Sequence, residues 1–150
     1  MLRNKENIPA PVGDVQNVAR ALLSWLNEFT DKPVRRITFE HLESDTFGIT
    51  VLSIQSAHKI KTYLRGGYKA QYPFTILYRS QPSVDDARLK MDEFLNRIGA
   101  WAESNPDKPK LEGRAKVLEI ERTSSASMTE RYEGGTEDHT IEMNLIYEVL

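Results

Sequence analysis

Residues 63–79 read YLRGGYKAQYPFTILYR, two adjacent glycines between aromatic-rich runs, with three basic residues and no carboxylate. Gly66 and Gly67 tolerate the positive φ angles that tight hairpin turns demand. The stretch therefore reads as a hairpin: Ile60 to Leu64, the turn, then Tyr68 to Tyr72 and Phe74 to Arg79. Pro73 cannot donate to a ladder, which predicts a bend or an edge position within the second arm.

Upstream, Pro9, Pro11 and Gly13 predict an extended arm over residues 1–13. Asp14 can then cap a helix whose apolar stripe runs through Val15, Val18, Ala19, Leu22, Leu26 and Phe29, and Pro33 ends it. Beyond it the period changes to two: Ile37 and Phe39, then Phe47, Ile49 and Val51, predict a hairpin turning through Glu43, Ser44 and Asp45. Downstream, Ser83 opens a second helix with Ala87, Met91, Phe94, Leu95, Ile98 and Trp101 or Ala102 on its buried stripe. Strands follow at Ala115 to Arg122 and from Ile141 to Val149. Between them the polar stretch Thr123 to Thr140 reads as a long loop, of a length that tends to be functional or disordered. No internal repeat is read. The expected fold class is α+β, residues 14–150 forming one domain, with two amphipathic helices packed on one face of a mostly antiparallel sheet.

At 150 residues the chain can bury one sizeable core. Its 39% apolar and 28% charged residues are an ordinary balance for a soluble globular protein. The polar start, MLRNKENIPAPVG, lacks the apolar region of a secretory signal, and no apolar run approaches a membrane span. The chain is therefore expected to stay where it is made. Zero cysteines exclude disulfides and thiolate chemistry. The net charge of −2 hides an uneven distribution. From Thr46 to Val84, Lys59, Lys61, Arg65, Lys69 and Arg79 face no acidic residue at all. From Glu112 to Leu150, nine carboxylates outnumber Arg114, Lys116, Arg122 and Arg131.

Motifs for chemistry are weak. No lysine and hydroxyl pair follows Gly66–Gly67 as a P-loop requires, and His41, His58 and His139 lack metal-ligand spacing. No G-x-S-x-G occurs. Asp85–Asp86 and Asp92–Glu93 are explained by helix position without acid catalysis. Tyr63, Tyr68 and Tyr72 interleave with Lys59, Lys61, Arg65 and Lys69, a pattern compatible with an ordinary sheet face, a protein interface or a single-strand nucleic-acid groove.

IKTYLRGGYKAQYPFTILYR (60–79), SVDDARLKMDEFLNRIGAWAES (83–104) and the closing segment LEGRAKVLEIERTSSASMTERYEGGTEDHTIEMNLIYEVL (111–150) resemble the minor capsid and tail terminator proteins of long-tailed bacteriophages that infect Gram-positive bacteria. The resemblance spans about Val15 to Leu150, and GGY-x-AQYPF and the closing strand are its most specific parts. It implies a small α+β subunit that forms a ring, usually a hexamer, at the head-proximal end of the tail. That ring stops tube polymerisation and offers a joining surface to the head. Its implied partners are further copies of itself, the tail tube protein and a head-completion or connector protein. DNA would pass through without specific binding. The resemblance implies a virion component assembled in the host cytoplasm, with no membrane role, no cofactor and no enzymatic activity; a head-side minor capsid or head-closure role stays open.

For such a ring the charge split predicts a contact in which Lys59, Lys61, Arg65, Tyr68, Lys69 and Tyr72 of one subunit meet Glu130, Glu133, Glu137 and Asp138 of the next. The polar loop would take a partner through Ser127, Met128, Arg131 and Tyr132. A small nucleic-acid-binding protein using the basic hairpin is the further alternative.

Overall fold

Helix α1 (Val12–Leu26) buries Val18, Leu22, Trp25 and Leu26, so the predicted stripe is the buried one. Its N-terminus has no side-chain cap; Asp14 lies in the first turn, where it favours the positive end of the helix, and its carboxylate accepts a hydrogen bond from the Tyr68 hydroxyl. The helix stops at Asn27 rather than at Pro33. Asn27 Nδ2 donates to the carbonyls of Leu23 and Ile37 (3.0 Å each), and Lys32 Nζ donates to the carbonyls of Asn27 and Phe29. Helix α2 (Asp85–Ser104) starts after Val84, not at Ser83, and buries Met91, Phe94, Leu95, Ile98, Gly99 and Ala102. The rings of Trp25 and Trp101 stack 4.5 Å apart, which joins the two helices.

The computed structural model describes residues 8–42, 47–54 and 57–150. The strands are β1 (Thr38–Phe39), β2 (Gly48–Ser53), β3 (His58–Thr62), β4 (Tyr68–Ser80), β5 (Ala115–Arg122), β6 (Ser127–Arg131) and β7 (Glu137–Val149). They form one mixed, mostly antiparallel sheet in the order β1-β2-β4-β7-β5, with β3 beside β4 and β6 beside β7. The described chain is a small α+β domain.

Three expectations change. β1 runs parallel to β2, with Thr38 opposite Thr50, so these strands are not a hairpin; alternation identifies a strand but not the direction of its partner. The expected turn residues, 43–45, lie outside the described residues. Pro73 sits neither at a bend nor on an edge strand, but mid-way along the central β4, opposite Asn144 of β7. On the other side of β4, β2 ends opposite Phe74 and β3 begins opposite Gln71. Pro73 faces the gap between them, where its carbonyl accepts from Ile54 N–H (3.4 Å) and no donor is needed from its nitrogen. The polar stretch 123–140 is not a loop: it contains β6 and the first turn of a second hairpin.

That hairpin reveals a repeat. Adding 69 to residue numbers carries β3 onto β6 and β4 onto β7. Both short strands carry a bulge at the same place, between Lys59 and Lys61 and between Met128 and Glu130. The turns match bond for bond. Tyr63 N–H donates to the Gly67 carbonyl (2.7 Å) and Gly66 N–H to that of Tyr63 (3.2 Å); Tyr132 N–H donates to the Thr136 carbonyl (2.8 Å) and Gly135 N–H to that of Tyr132 (3.2 Å). Gly66 and Gly135 share φ 93°, a left-handed value that favours glycine. Each half therefore runs helix, strand, short strand, glycine turn, thirteen-residue strand, with the two-residue β1 an addition in the first half. The halves meet antiparallel where Phe74 faces Met143, the equivalent residue, so a local dyad passes between them.

On β4, Tyr68, Ala70, Tyr72, Phe74 and Ile76 are buried while the intervening residues are half-exposed. On β7, Ile141, Met143, Leu145 and Tyr147 complete the core.

Candidate functional site

The antiparallel pairing of β4 with β7 places Tyr68 beside Val149 at one end and Ser80 beside Glu137 at the other. The β3–β4 turn therefore lies at one end of the sheet and the β6–β7 turn at the opposite end. β3 flanks β4 on the side of β2, and β6 flanks β7 on the side of β5. The two hairpins thus occupy diagonally opposite corners.

At the first corner the predicted basic face divides. Lys61 lies directly opposite Lys69 on the half-exposed side of the sheet. Lys69 in turn faces Glu148, and Glu148 faces Lys116. Two like charges in direct register are destabilising in an isolated sheet. Arg65 is exposed at the turn. Lys59, opposite Ala70, lies on the core side with its ammonium 4.8 Å from the centre of the Tyr68 ring. Tyr68 and Tyr72 point inward: both are buried, Tyr68 bonded to Asp14 and Tyr72 to Ser53 Oγ at 2.7 Å. Neither is the surface aromatic that the sequence pattern suggested; alternation along β4 gives the core the even-numbered positions from 68 to 76, which include both tyrosines. Tyr63 is half-buried and donates to Glu148 (2.9 Å), and this bond raises its hydroxyl pKa above the ordinary value.

The second corner repeats this with the signs reversed. Glu130 lies opposite Asp138, and Asp138 opposite Arg79. Under the repeat, Lys61 corresponds to Glu130, Lys69 to Asp138, Glu148 to Arg79 and Tyr63 to Tyr132. One row reads plus, plus, minus; its equivalent reads minus, minus, plus. The tyrosines keep equivalent posts: Tyr132 donates to Asp138 (2.7 Å), accepts from Arg79 (3.1 Å) and lies under its guanidinium.

Glu137 and Asp138 are not free surface carboxylates, being 1% and 3% exposed. Arg79 binds Asp138 through two nitrogens, at 2.7 and 2.9 Å. Glu137 meets Arg88 of α2 (2.8 Å), Arg131 (3.2 Å) and His139 (2.9 Å), and His139 also lies 2.7 Å from Asp92. They were expected on a loop; because β7 begins at Glu137, both are built into the sheet and covered by α2 and Tyr132. Burial alone would push both carboxyls up. Hydrogen bonds from His139 and Arg88, with the charges of Arg88 and Arg131, instead hold Glu137 below its ordinary value. Those from Arg79 and Tyr132 do the same for Asp138. Arg131 and Tyr132 are thereby tied back to the sheet, while Ser127, Met128, Glu130 and Glu133 are exposed.

Arg79, Arg88, Asp92, His139 and Glu148 were not singled out from sequence as parts of these sites. The signal that could have found the second corner is the shared Tyr-x-x-Gly spacing, Tyr63 to Gly66 and Tyr132 to Gly135, each preceding a strand of equal length. No family model and no curated protein matches this chain.

Proposed function

We propose that this chain is a virion structural subunit, a tail terminator. It forms a homo-oligomeric ring on the head-proximal end of a phage tail tube, stops tube growth and offers the surface that meets the head. The observation that carries this reading is the pair of charge-inverted hairpins at diagonal corners. A subunit whose complementary patches lie at opposite ends builds head-to-tail contacts, and such contacts close into rings when the rotation permits. The sequence resemblance supplies the kind of ring. On this reading the exposed outer members of the two charged rows, Lys61 and Glu130, meet neighbours, while Asp138 stays buried under Arg79 and Tyr132. Partners on this reading are further copies, the tail tube protein and a head-completion protein. DNA passes through the lumen with the basic residues engaged in protein contacts, since a bare basic lumen would grip the phosphate backbone. Burial of Tyr68 and Tyr72 removes the stacking platform that a single-strand binder would use. No catalytic residue or cofactor enters.

The test is electron microscopy of particles from a phage deleted for this gene. Overlong tubes detached from heads are expected. Normal-length tails beside unjoined heads would move the protein to the head side, and unaltered infectious virions would remove the structural reading altogether.

A further inference from the structure

We propose that neighbouring copies join by β-pairing, the outer edge of β6 in one copy laid antiparallel against the outer edge of β3 in the next. This rests on the ring reading and specifies its contact. Among the described residues β6 is paired on one side only, by β7, and all its residues are exposed. β3 is paired by β4 on one side; on the other, Lys59 N–H donates to the Ile8 carbonyl (2.8 Å) and Ala10 N–H to the Ala57 carbonyl (3.0 Å). Among the described residues nothing pairs with that outer edge at Ile60, Lys61 and Thr62, and all three are exposed.

Open edges invite unwanted pairing, and proteins guard them with charges and bulges. Here the guards also select. Two β3 edges placed together bring Lys61 near Lys61, and two β6 edges bring Glu130 near Glu130, in each case like against like. Only β3 against β6 matches charge. The shared bulge and turn give the two edges a similar shape over residues 60–62 and 129–131, so charge is what distinguishes them there. The rows then run on across the boundary: Glu148, Lys69 and Lys61 of one copy continue into Glu130, Asp138 and Arg79 of the next. A symmetric dimer through either edge is disfavoured and a head-to-tail series is favoured.

The chain contains no cysteine, so Lys61→Cys/Glu130→Cys in the full chain introduces the sole thiols. Within one copy the two charged rows are roughly 35 Å apart along β4, far beyond the roughly 7 Å Cα separation a disulfide spans. Any disulfide between the two positions must therefore join copies. Mild oxidation should give a ladder of covalent multimers that collapses on reduction, while either single-cysteine variant yields about tenfold less cross-linked product. No ladder, or equal dimer yields from a single-cysteine variant, would overturn the pairing. If the ladder is absent while gene deletion still gives overlong tails, only this contact fails. If the ladder forms and deletion leaves tails normal, the terminator reading fails and the contact stands.

Discussion

Arg79 holds a carboxylate that the fold has taken out of water. Its two nitrogens bracket Asp138, whose side chain is only 5% exposed, and Tyr132 closes the remaining side. Removing one member of such a pair leaves a buried charge uncompensated, so Arg79→Ala should lose about 3 kcal/mol in urea denaturation, whereas the paired change Arg79→Met/Asp138→Leu should lose much less. Equal losses would mean that the guanidinium stem, not the charge, supports this corner. The same network sets an acid limit. Glu137 and Asp138 titrate below their ordinary values when folded, so the unfolded chain takes up their protons first. Their contribution is complete above about pH 4 and is lost as pH falls through the lowered folded values. Melting temperature followed downward from neutral pH should fall below about pH 4, and less steeply in Asp138→Asn. Gly67 is bound by space: an added Cβ would lie 2.5 Å from the Val149 carbonyl oxygen. Gly67→Ala should therefore destabilise by about 1–3 kcal/mol, as overpacking does.

Among the elements, β6 is the least anchored. It buries no side chain, and its ties to the rest are the β7 ladder, the Thr129 hydroxyl on the Asp138 carbonyl, Arg131 and the neighbouring Tyr132. Local opening follows buried contact, so in the free subunit amides of residues 127–131 should exchange hydrogen at least about 100-fold faster than those of 70–76 and 141–147. Equal protection would show that the hairpin opens only with global unfolding, and would remove its capacity to adapt to a neighbour. The same weakness hid β6 in the sequence: a strand with no buried face has no alternation to read. The helical stripes were legible because one face of each is apolar at the right period, and β5 was legible end to end, its strand occupying Ala115 to Arg122 as expected. The direction of β1 was not, since period two is common to parallel and antiparallel strands. The burial of Glu137 and Asp138 was hidden by their charge, which predicts a surface until the opposing arginines are in place. The repeat was masked because the equivalent residues differ most where they matter: Lys61 and Glu130, Lys69 and Asp138. What is duplicated is backbone, a bulge and a turn, and backbone is only faintly written in side chains.

For the whole molecule, the internal dyad and the charge inversion act together. The dyad makes two corners of one shape, and the inversion makes each unfit for itself and fit for the other. The proposed contact between corners of like shape is itself close to a dyad, and two dyads whose axes cross generate a rotation, which is the condition under which such copies would close about a common axis. The energy of such a contact is partly ionic and exposed, hence sensitive to screening, whose length falls to about 3 Å at 1 M salt. Lys61→Glu and Glu130→Lys should each weaken association at low salt, by about tenfold or more, because each sets like charges across the boundary. Combined in one chain, the two changes restore opposite signs across the boundary, and association should return to within a few-fold of the original. High salt should narrow the gap between the single variants and the parent. Sedimentation velocity of the four chains at low and high salt measures all of this. Single reversals that leave association unchanged, or a double reversal no better than the weaker single one, would place the subunit boundary elsewhere than at these two corners.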